Sequence, residues 1–377
     1  MRQIYKNTFN RNQLLALSTV VLLVPALRLV PSLTASLGGR AAWLSAPAAA
    51  LPLTAYIYLL CRIMSRRKSG EGMGEMMLRT LGGTAGGAML IFYAAGILLY
   101  AGFILRAGAE RMVTMIYPDS SPVVFSVLTG IVAVVAALGS PRSLMRFAKL
   151  VQPVVIGTLG LFLLFALTSL DFKNLFPVAP RDVPGAALSA LPVIGAVGSV
   201  SFFVCFFESE CAYKPKRFGD FALWLVPTLL LFFILSIAVL GRFGAELTAS
   251  LTFPFFTLVR NLVFFNTLER LEALIVSLWL FPDFLFVAAL LYCAQYCLRL
   301  AAGEKPAFNG EKRFDMARGR WLIPVCGALS ITAAILIAPD ISSMTLWSER
   351  IIPALNLSVS LLFAVIIYVA GRVRKRI

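Results

Sequence analysis

The stretch AALSALPVIGAVGSVSFFVCFF, residues 186–207, is apolar for long enough to cross a lipid bilayer, which takes about 20 residues of helix. Its centre nevertheless contains a helix breaker, two weak helix formers and two hydroxyl side chains: Pro192, Gly195, Gly198, Ser199 and Ser201. We expect the helix to unwind locally at this point. Backbone freed at membrane depth is tolerated only where protein buries it or where it lines a cavity. The stretch therefore predicts a binding site.

The composition is that of a helical membrane protein with many spans. Hydrophobic residues make up 59% of the 377 residues and charged residues only 14%, with a mean hydropathy of +0.87. A soluble protein of this length could not bury so much apolar surface. The sequence contains no histidine, which excludes Ser/His/Asp and Cys/His catalytic centres and imidazole zinc sites. We expect no enzymatic activity, no cofactor and no bound metal.

Ten apolar windows predict ten transmembrane helices. These spans are residues 13–36, 41–61, 83–106, 122–139, 147–170, 186–207, 219–240, 268–298, 320–338 and 350–371. With the N-terminus placed in the cytoplasm, the inside segments contain 24 Lys and Arg and the outside loops contain 9. Because short basic loops stay on the cytoplasmic side, both termini are predicted there. The same distribution explains the net charge of +16 without nucleic-acid binding.

The broken sixth span begins the second half of the chain, which suggests two sets of five helices within one transmembrane domain, residues 1–377. Because five is odd, the second set (186–371) would cross the membrane in the opposite sense to the first (13–170), as in many secondary transporters. The first span should then be broken too, and it contains Pro25 and Pro31. The prediction is an all-α membrane protein with a five-plus-five inverted repeat, whose broken helices 1 and 6 face each other across a small polar chamber.

Arg28 lies between the two prolines of the first span. A charged side chain at membrane depth is costly and is a functional candidate for that reason. Free backbone N–H groups at a half-helix end add positive potential, which suits a carboxylate. We expect Arg28, the backbone around Pro25 and Ala26, and the glycines and serines of the sixth span to bind a small substrate, with Arg28 and the backbone of the first span holding its acidic group. The alternative is a structural ion pair between Arg28 and Asp283.

Asp283 is a second ionisable residue deep in a span, directly after a proline. A buried carboxylate resists ionisation unless it is paired, and a proton-coupled site uses this property. Glu272 precedes it by eleven residues, or three helical turns, so that Glu272, Trp279 and Asp283 share one helix face. Proton coupling and ion pairing both explain this stripe. Glu208 and Glu210 follow the sixth span beside basic residues and are interpreted as a solvated cytoplasmic cluster.

The most specific motif lies where an outer loop leads into the eighth span. It consists of Leu251-Thr252-Phe253-Pro254, Leu258-Val259-Arg260 and Leu268-Glu269-Arg270-Leu271-Glu272-Ala273. This order resembles the endospore germination permeases, the B subunits of nutrient germinant receptors within the amino acid/polyamine/organocation transporter superfamily. The resemblance covers essentially the whole chain, because the start of the sequence and the ten spans also fit. Residues 268–272 (LERLE) are its most specific part.

The resemblance implies a leucine-transporter-like fold of ten helices in the spore inner membrane or the plasma membrane. It also implies a subunit that binds a small nutrient, such as an amino acid, and acts with a larger A-type subunit and a lipoprotein C-type subunit. Family members often have glycines where the first span unwinds, whereas residues 24–28 here read VPALR, a departure that points to a different ligand. A proton-coupled amino acid transporter of the same fold is the alternative. A membrane-embedded enzyme lacks evident catalytic residues.

Overall fold

The computed structural model describes residues 9–68, 71–210, 219–261, 271–304 and 319–374. Within these ranges the secondary structure is almost entirely α-helical, with no β-strand. Short 3₁₀ or π turns connect several of the helices. The α-helices are α1 (Arg11–Arg28), α2 (Val30–Gly38), α3 (Ser45–Ser65), α4 (Met73–Leu81), α5 (Gly83–Met115), α6 (Pro122–Leu138), α7 (Pro141–Leu167), α8 (Val183–Leu188), α9 (Ala190–Val204), α10 (Gly219–Ser250), α11 (Pro254–Arg260), α12 (Leu271–Leu278), α13 (Leu280–Ala301), α14 (Leu322–Ile337), α15 (Ile341–Leu346) and α16 (Ile352–Val373).

Each predicted span falls on one helix or on two consecutive helices. Among the described residues, seven helical stretches are long and apolar enough to cross a membrane, and two more apolar helices, α6 and α14, are shorter. One of the seven stretches, Val30–Ser65, joins α2 to α3, and α1 before it forms the first part of the first predicted span. The chain is a multi-pass helical membrane protein, but the count of ten spans is not confirmed in full.

Contacts between helices tie the two halves of the chain together. In the first half α1 packs on α7, and in the second half α9 packs on α16 in the same way. The contact of α2 with α10 has its counterpart in the contact of α9 with α3. In the same way, the contact of α5 with α14 has its counterpart in the contact of α13 with α6. Exchanging each span for its counterpart five positions along leaves this pattern of contacts nearly unchanged, which is the property of an inverted repeat.

The first span is broken beside Arg28, as predicted. Helix α1 ends at Arg28 and α2 begins at Val30, while Leu29 between them keeps helical angles (φ −98°, ψ −39°). Pro31 in the first turn of α2 has no N–H group, so the carbonyl of Leu27 cannot receive its regular helical hydrogen bond. The break is therefore a kink with one freed carbonyl, and not an unwound loop.

The sixth span is broken at Ser189, between α8 and α9, and its centre is continuous helix. The prediction that the backbone unwinds from Pro192 to Ser201 is therefore wrong. Pro192 is the third residue of α9, where a helical N–H group has no partner within the helix in any case. The hydroxyl groups of Ser199 and Ser201 donate to the carbonyls one turn earlier, at 3.1 and 2.7 Å, which satisfies them inside the helix.

The two glycines of α9 lie at the contact with α16. A Cβ atom on Gly195 would lie 3.6 Å from the carbonyl oxygen of Pro353, and one on Gly198 would lie 3.4 Å from the hydroxyl of Ser360. Both neighbours belong to α16, and both distances are those of an ordinary van der Waals contact. Gly195 and Gly198 thus lie in continuous helix at the α9–α16 contact and do not open the helix.

The N-terminal face of the bundle, defined here as the side on which α1 begins, is covered by α4. The backbone N–H of Met73 donates to the carbonyl of Cys205 at the end of α9 (3.1 Å). Glu75 accepts hydrogen bonds from the backbone N–H of Gly72 (2.9 Å) and from the hydroxyl of Tyr296. Burial raises the pKa of Glu75 above its usual range, although both hydrogen bonds favour the charged form.

Glu208 lies at the same face and is 3% exposed, so the interpretation of this residue as solvated is wrong. It forms an ion pair with Arg67 at 3.1 Å. The 3₁₀ turn Phe207–Glu210 that follows α9 contacts α4, which shields the carboxylate from water. The side chain of Glu210 lies outside the described part of the chain.

Candidate functional site

Charged side chains are buried where α1, α5 and α13 meet, close to the break in the first span. Arg106 donates to Glu110, one turn along α5, and to the carbonyl of Ala338, both at 2.6 Å. Arg111 forms an ion pair and a hydrogen bond with the carboxylate of Asp283 on α13. Each acid therefore has an arginine partner. The cluster comprises Arg28, Arg106, Glu110, Arg111 and Asp283, each at most 6% exposed.

Arg28 is the cation of this cluster that has no acidic partner within ion-pair distance among the described residues. Its Nη2 atom is buried without a hydrogen-bond partner. Its guanidinium carbon lies 4.4 Å from the centroid of the Phe103 ring, a cation–π contact of about 0.5–2 kcal/mol. Burying an unpaired charge costs several kcal/mol. This cost is larger than the gain from the cation–π contact. The charge balance of the site therefore favours one additional anion.

Asp283 pairs with Arg111 and not with Arg28, which decides against the predicted structural pair. Arg28 and Asp283 interact electrostatically only beyond ion-pair distance. Gly108 allows the close approach of α13, because a Cβ atom there would lie 2.9 Å from a carboxylate oxygen of Asp283. The Arg111 guanidinium also lies 4.8 Å from the centroid of the Phe256 ring. The Arg111–Asp283 pair is thus held by packing on several sides.

A small cavity of about 40 Å³ lies beside α9, between α5, α13 and α16. Its walls are mostly aromatic and aliphatic, and no described residue of α1 lines it. Helices α1 and α9 instead pack directly against each other. This cavity is therefore not the polar chamber expected between the two broken helices, and that chamber stays a prediction. The polar side chains of the cavity are Tyr93, Tyr100, Ser199, Asn356 and Ser360.

Tyr100 connects this cavity with the charged cluster. Its hydroxyl group hydrogen-bonds with the side chain of Asn356 and interacts electrostatically with Arg28. Its ring stacks at 6.5 Å on that of Phe103, against which the Arg28 guanidinium lies, and meets the ring of Phe286 edge-on at 5.6 Å. The cluster and the cavity thus form one candidate site, cationic at the break in α1 and apolar beside α9.

The structure brings together only part of the predicted binding set. Arg28 and Ser199 belong to the candidate site, at its charged and apolar parts respectively. Pro25 and Ala26 are buried within α1, and Ala26 lines a separate groove between α1, α7 and α10. The remaining predicted residues of α9 are engaged in helix packing or in hydrogen bonds within the helix.

The stripe predicted along the eighth span is described in part. Trp279 and Asp283 are both buried, and the indole nitrogen of Trp279 has no hydrogen-bond partner among the residues that the structure describes. Leu271 and Glu272 lie in α12, but their side chains are outside the described part of the chain. The same holds for the whole of residues 268–270, the first half of the LERLE motif.

Three residues of the charged cluster are absent from the sequence-based site. The predicted third span ends at residue 106, which places Glu110 and Arg111 in a loop, whereas α5 continues to Met115. The sequence does contain the signal for this longer helix. Residues 83–117 contain no proline, and residues 106 and 110 have the i,i+4 spacing of a helical ion pair.

Comparisons with known proteins agree with this architecture. A family model described as spore germination protein matches residues 11–339. The spore germination protein YfkT of Bacillus subtilis (strain 168) is 22% identical over 316 residues, which cover 83% of this chain and 82% of that protein. The spore germination protein GerQB of Bacillus cereus is 23% identical over 269 residues, which cover 66% of this chain and 68% of that protein.

Solved structures of transporters share the fold. MhsT in complex with L-phenylalanine matches with a TM-score of 0.56 and 14% identity over 97% of this chain and 99% of that one. Mhp1, a nucleobase-cation-symport-1 family transporter, matches with a TM-score of 0.54 and 12% identity over 98% of this chain and 94% of that one. A substrate-bound, Na⁺-coupled sialic acid symporter matches with a TM-score of 0.51 and 12% identity over 96% of both chains. The fold is leucine-transporter-like, as predicted, and these transporters share it. Given the match over residues 11–339, the chain belongs to the spore germination protein family.

Proposed function

We propose that the chain is the integral membrane subunit of a spore nutrient germinant receptor, which binds a small nutrient such as an amino acid and triggers germination. The observation that carries the proposal is Arg28, a buried guanidinium at the break in the first span, whose Nη2 atom has no hydrogen-bond partner in the described part of the chain. The family and the two germination relatives support the biological role.

A ligand carboxylate at Arg28 would complete the charge balance of the cluster. The other two arginines are each paired with an acid, so that a bound anion removes the one excess positive charge. A hydrogen bond to a charged group contributes ~1.5–3 kcal/mol. The carbonyl of Leu27, which Pro31 leaves without its helical donor, is a suitable acceptor for the ammonium group of an amino acid.

The cavity beside α9 would receive the apolar part of the ligand. Its volume of about 40 Å³ holds a small apolar group, so a larger side chain requires the surrounding helices to move apart. Tyr100 and Asn356 would contact the ligand where its charged and apolar parts join. MhsT, which has the same fold, was solved with L-phenylalanine, and this supports an amino acid as the class of ligand.

Proton-coupled amino acid transport is the second candidate function. It is favoured by Asp283, a buried carboxylate in the same cluster as Arg28, since a carboxylate at membrane depth is a candidate proton carrier. Glu272 is the other proposed proton-coupling residue. Uptake of labelled amino acid by liposomes that contain this chain alone, with a pH dependence that Asp283→Asn abolishes, would support transport over sensing.

The proposed setting is the spore inner membrane or the plasma membrane, with both termini and the N-terminal face in the cytoplasm. We further propose that the two repeats comprise residues 13–170 and 186–371. The A-type and C-type subunits of a germinant receptor are the proposed protein partners. The basic loops predicted on the N-terminal face support the orientation, and the germination relatives support the partners.

The experiment measures the response to a panel of amino acids in spores that carry Arg28→Gln, together with binding by the purified protein. We expect the apparent affinity to fall about 10- to 100-fold, the loss that corresponds to one charge-assisted hydrogen bond. Arg181→Gln is the matched control, because the side chain of Arg181 is 89% exposed. Unchanged affinity in a folded Arg28→Gln protein would remove the ligand role of Arg28.

A further inference from the structure

A long groove of about 730 Å³ runs along the outside of the bundle between α1, α7 and α10. Leucines on its walls are largely exposed, among them Leu164 (66%), Leu223 (75%) and Leu230 (54%). On a helix that spans a membrane, exposed leucines face lipid chains. The groove is therefore open to the bilayer and is separate from the cavity beside α9.

The floor of the groove is deep because α7 has a glycine there. A Cβ atom on Gly160 would meet no atom of the described residues within 4 Å, so the described part of the chain leaves the space above it empty. Trp224 of α10 forms part of the wall, and its indole N–H donates to the hydroxyl of Thr19 on α1 at 3.1 Å. At its far end the groove reaches Ala26, two residues before Arg28. A molecule in the groove would thus contact α1 up to its break.

The polar lining of the groove is concentrated at the N-terminal face, where Arg11, Asn12 and Gln152 lie. Lys149 is exposed and continues the groove-lining face of α7, because it precedes Gln152 by three residues. Arg146 is exposed one further turn towards the start of α7. Neither α1 nor α7 contains an acidic residue, and the first turn of α10 contains one, Asp220. The mouth of the groove therefore has an excess of positive charge.

We propose that this groove binds one acyl chain of an anionic phospholipid, whose headgroup lies against Arg11 and Lys149. An apolar channel that opens to the bilayer and ends in cations at the membrane surface matches both parts of such a lipid. A hydrated carboxylate ligand on its way to Arg28 would find almost no polar partner along these walls. The proposal does not depend on nutrient binding by the candidate site.

Quenching of Trp224 fluorescence tests the proposal directly. The full chain is reconstituted in phosphatidylcholine liposomes that contain brominated phosphatidylglycerol or brominated phosphatidylcholine, and the signal of a Trp224→Phe protein is subtracted. We expect phosphatidylglycerol to be preferred about fivefold or more. Lys149→Gln should lower this preference about fivefold, because one basic residue near an anionic lipid surface contributes ~1 kcal/mol.

Gly160→Leu should abolish the quenching of Trp224 by both lipids, since the new side chain fills a space that no protein atom occupies. Gly157→Leu is the matched control: it also points into open space on α7 but does not line the groove. Equal quenching by the two lipids, or quenching that survives Gly160→Leu, would overturn the proposal. Quenching that never appears, even when the protein is diluted in lipid, would overturn it too.

Discussion

Arg111 and Asp283 are opposite charges that the bundle holds against each other away from water. Replacing Asp283 by Asn leaves the guanidinium of Arg111 buried without a counter-ion. Removing one partner of a buried ion pair costs ~3–5 kcal/mol. We therefore expect Asp283→Asn to lower the thermal unfolding temperature of the purified protein strongly, as followed by tryptophan fluorescence in detergent.

A double-mutant cycle separates this pairing from a general loss of packing. The variant Arg111→Met/Asp283→Asn removes both charges and should be more stable than Asp283→Asn alone, because the unpaired cation is gone. Stability losses that simply add in the double variant would show that the two residues are not coupled. Such additivity would contradict the ion pair.

At the scale of single residues, the sequence identifies which charged side chains are costly to bury in a membrane. It does not identify which of them form ion pairs with each other. Arg28 and Asp283 stand out because they are charged residues inside apolar stretches. Their partners depend on the register of α5 against α13, and that register is set by packing, which no local pattern contains. The choice of Arg111 over Arg28 as the partner of Asp283 therefore required the three-dimensional structure.

Single elements show a common cause for the interruptions in three spans. Each interruption lies two or three residues before a proline, so that the proline sits in the first turn of the following helix, where its missing N–H group costs least. Glycine and serine are weak helix formers in water, but in a membrane the demand for backbone hydrogen bonds keeps them helical. This is why sequence reasoning placed the sixth break too far along. The pairs are Leu29 with Pro31, Ser189 with Pro192 and Trp279 with Pro282.

Two glycines of α5 provide a matched test of helix packing. A Cβ atom on Gly102 would lie 2.7 Å from the carbonyl oxygen of Ser330 on α14, a backbone atom that moves only with its helix. We expect Gly102→Ala to lower the free energy of unfolding by ~1–3 kcal/mol, the usual range for overpacking. Gly96→Ala meets no atom within 4 Å and should raise it by ~0.5–1 kcal/mol through helix propensity. Chemical denaturation of both variants is the measurement, and equal effects would contradict the close α5–α14 contact.

The carboxyl group of Glu75 makes α4 a pH-dependent element. Burial raises the pKa of Glu75 above the value of about 4.3 expected in the unfolded chain. The folded protein therefore binds this proton more tightly than the unfolded one. The stabilisation from this group is fully present below about pH 4.3 and is lost as the pH rises through the raised pKa.

Glu75→Gln keeps an acceptor oxygen for the N–H of Gly72 and the hydroxyl of Tyr296 but cannot ionise. We expect the unfolding temperature of the natural protein to fall relative to that of the variant as the pH rises above about 4.3 and through the raised pKa of Glu75. Thermal scans of both proteins at several pH values provide the measurement. A constant difference over this range would contradict the raised pKa.

The whole molecule is held together across its two halves as well as within each of them. Helix α5 lies against α13, α3 lies against α9, and the buried charges pair between halves as well, through Arg111–Asp283 and through Arg106 with the carbonyl of Ala338. Hydropathy alone predicted the order of the spans, but it ended the third span at residue 106, whereas α5 continues to Met115, and the count of ten is not confirmed in full. The interdigitation follows from the inverted arrangement, for which the sequence offered only the matched breaks in the first and sixth spans.

This interdigitation predicts that neither half folds alone. We expect residues 1–178, expressed as a fragment, to be degraded or aggregated, since the faces of α5 and α3 that meet the second half would be left without their partners. Co-expressed fragments 1–178 and 179–377 should associate, because the cut lies in the connection between α7 and α8, beyond the bond from the Asn174 side chain to the carbonyl of Gly241.

Co-purification through a tag on the first fragment and thermal unfolding of the complex provide the readout. The complex should unfold at a lower temperature than the intact chain, because a broken connection adds the entropy of association. A stable, monomeric first fragment would show that the two halves are independent folding units and would contradict the arrangement of contacts described above.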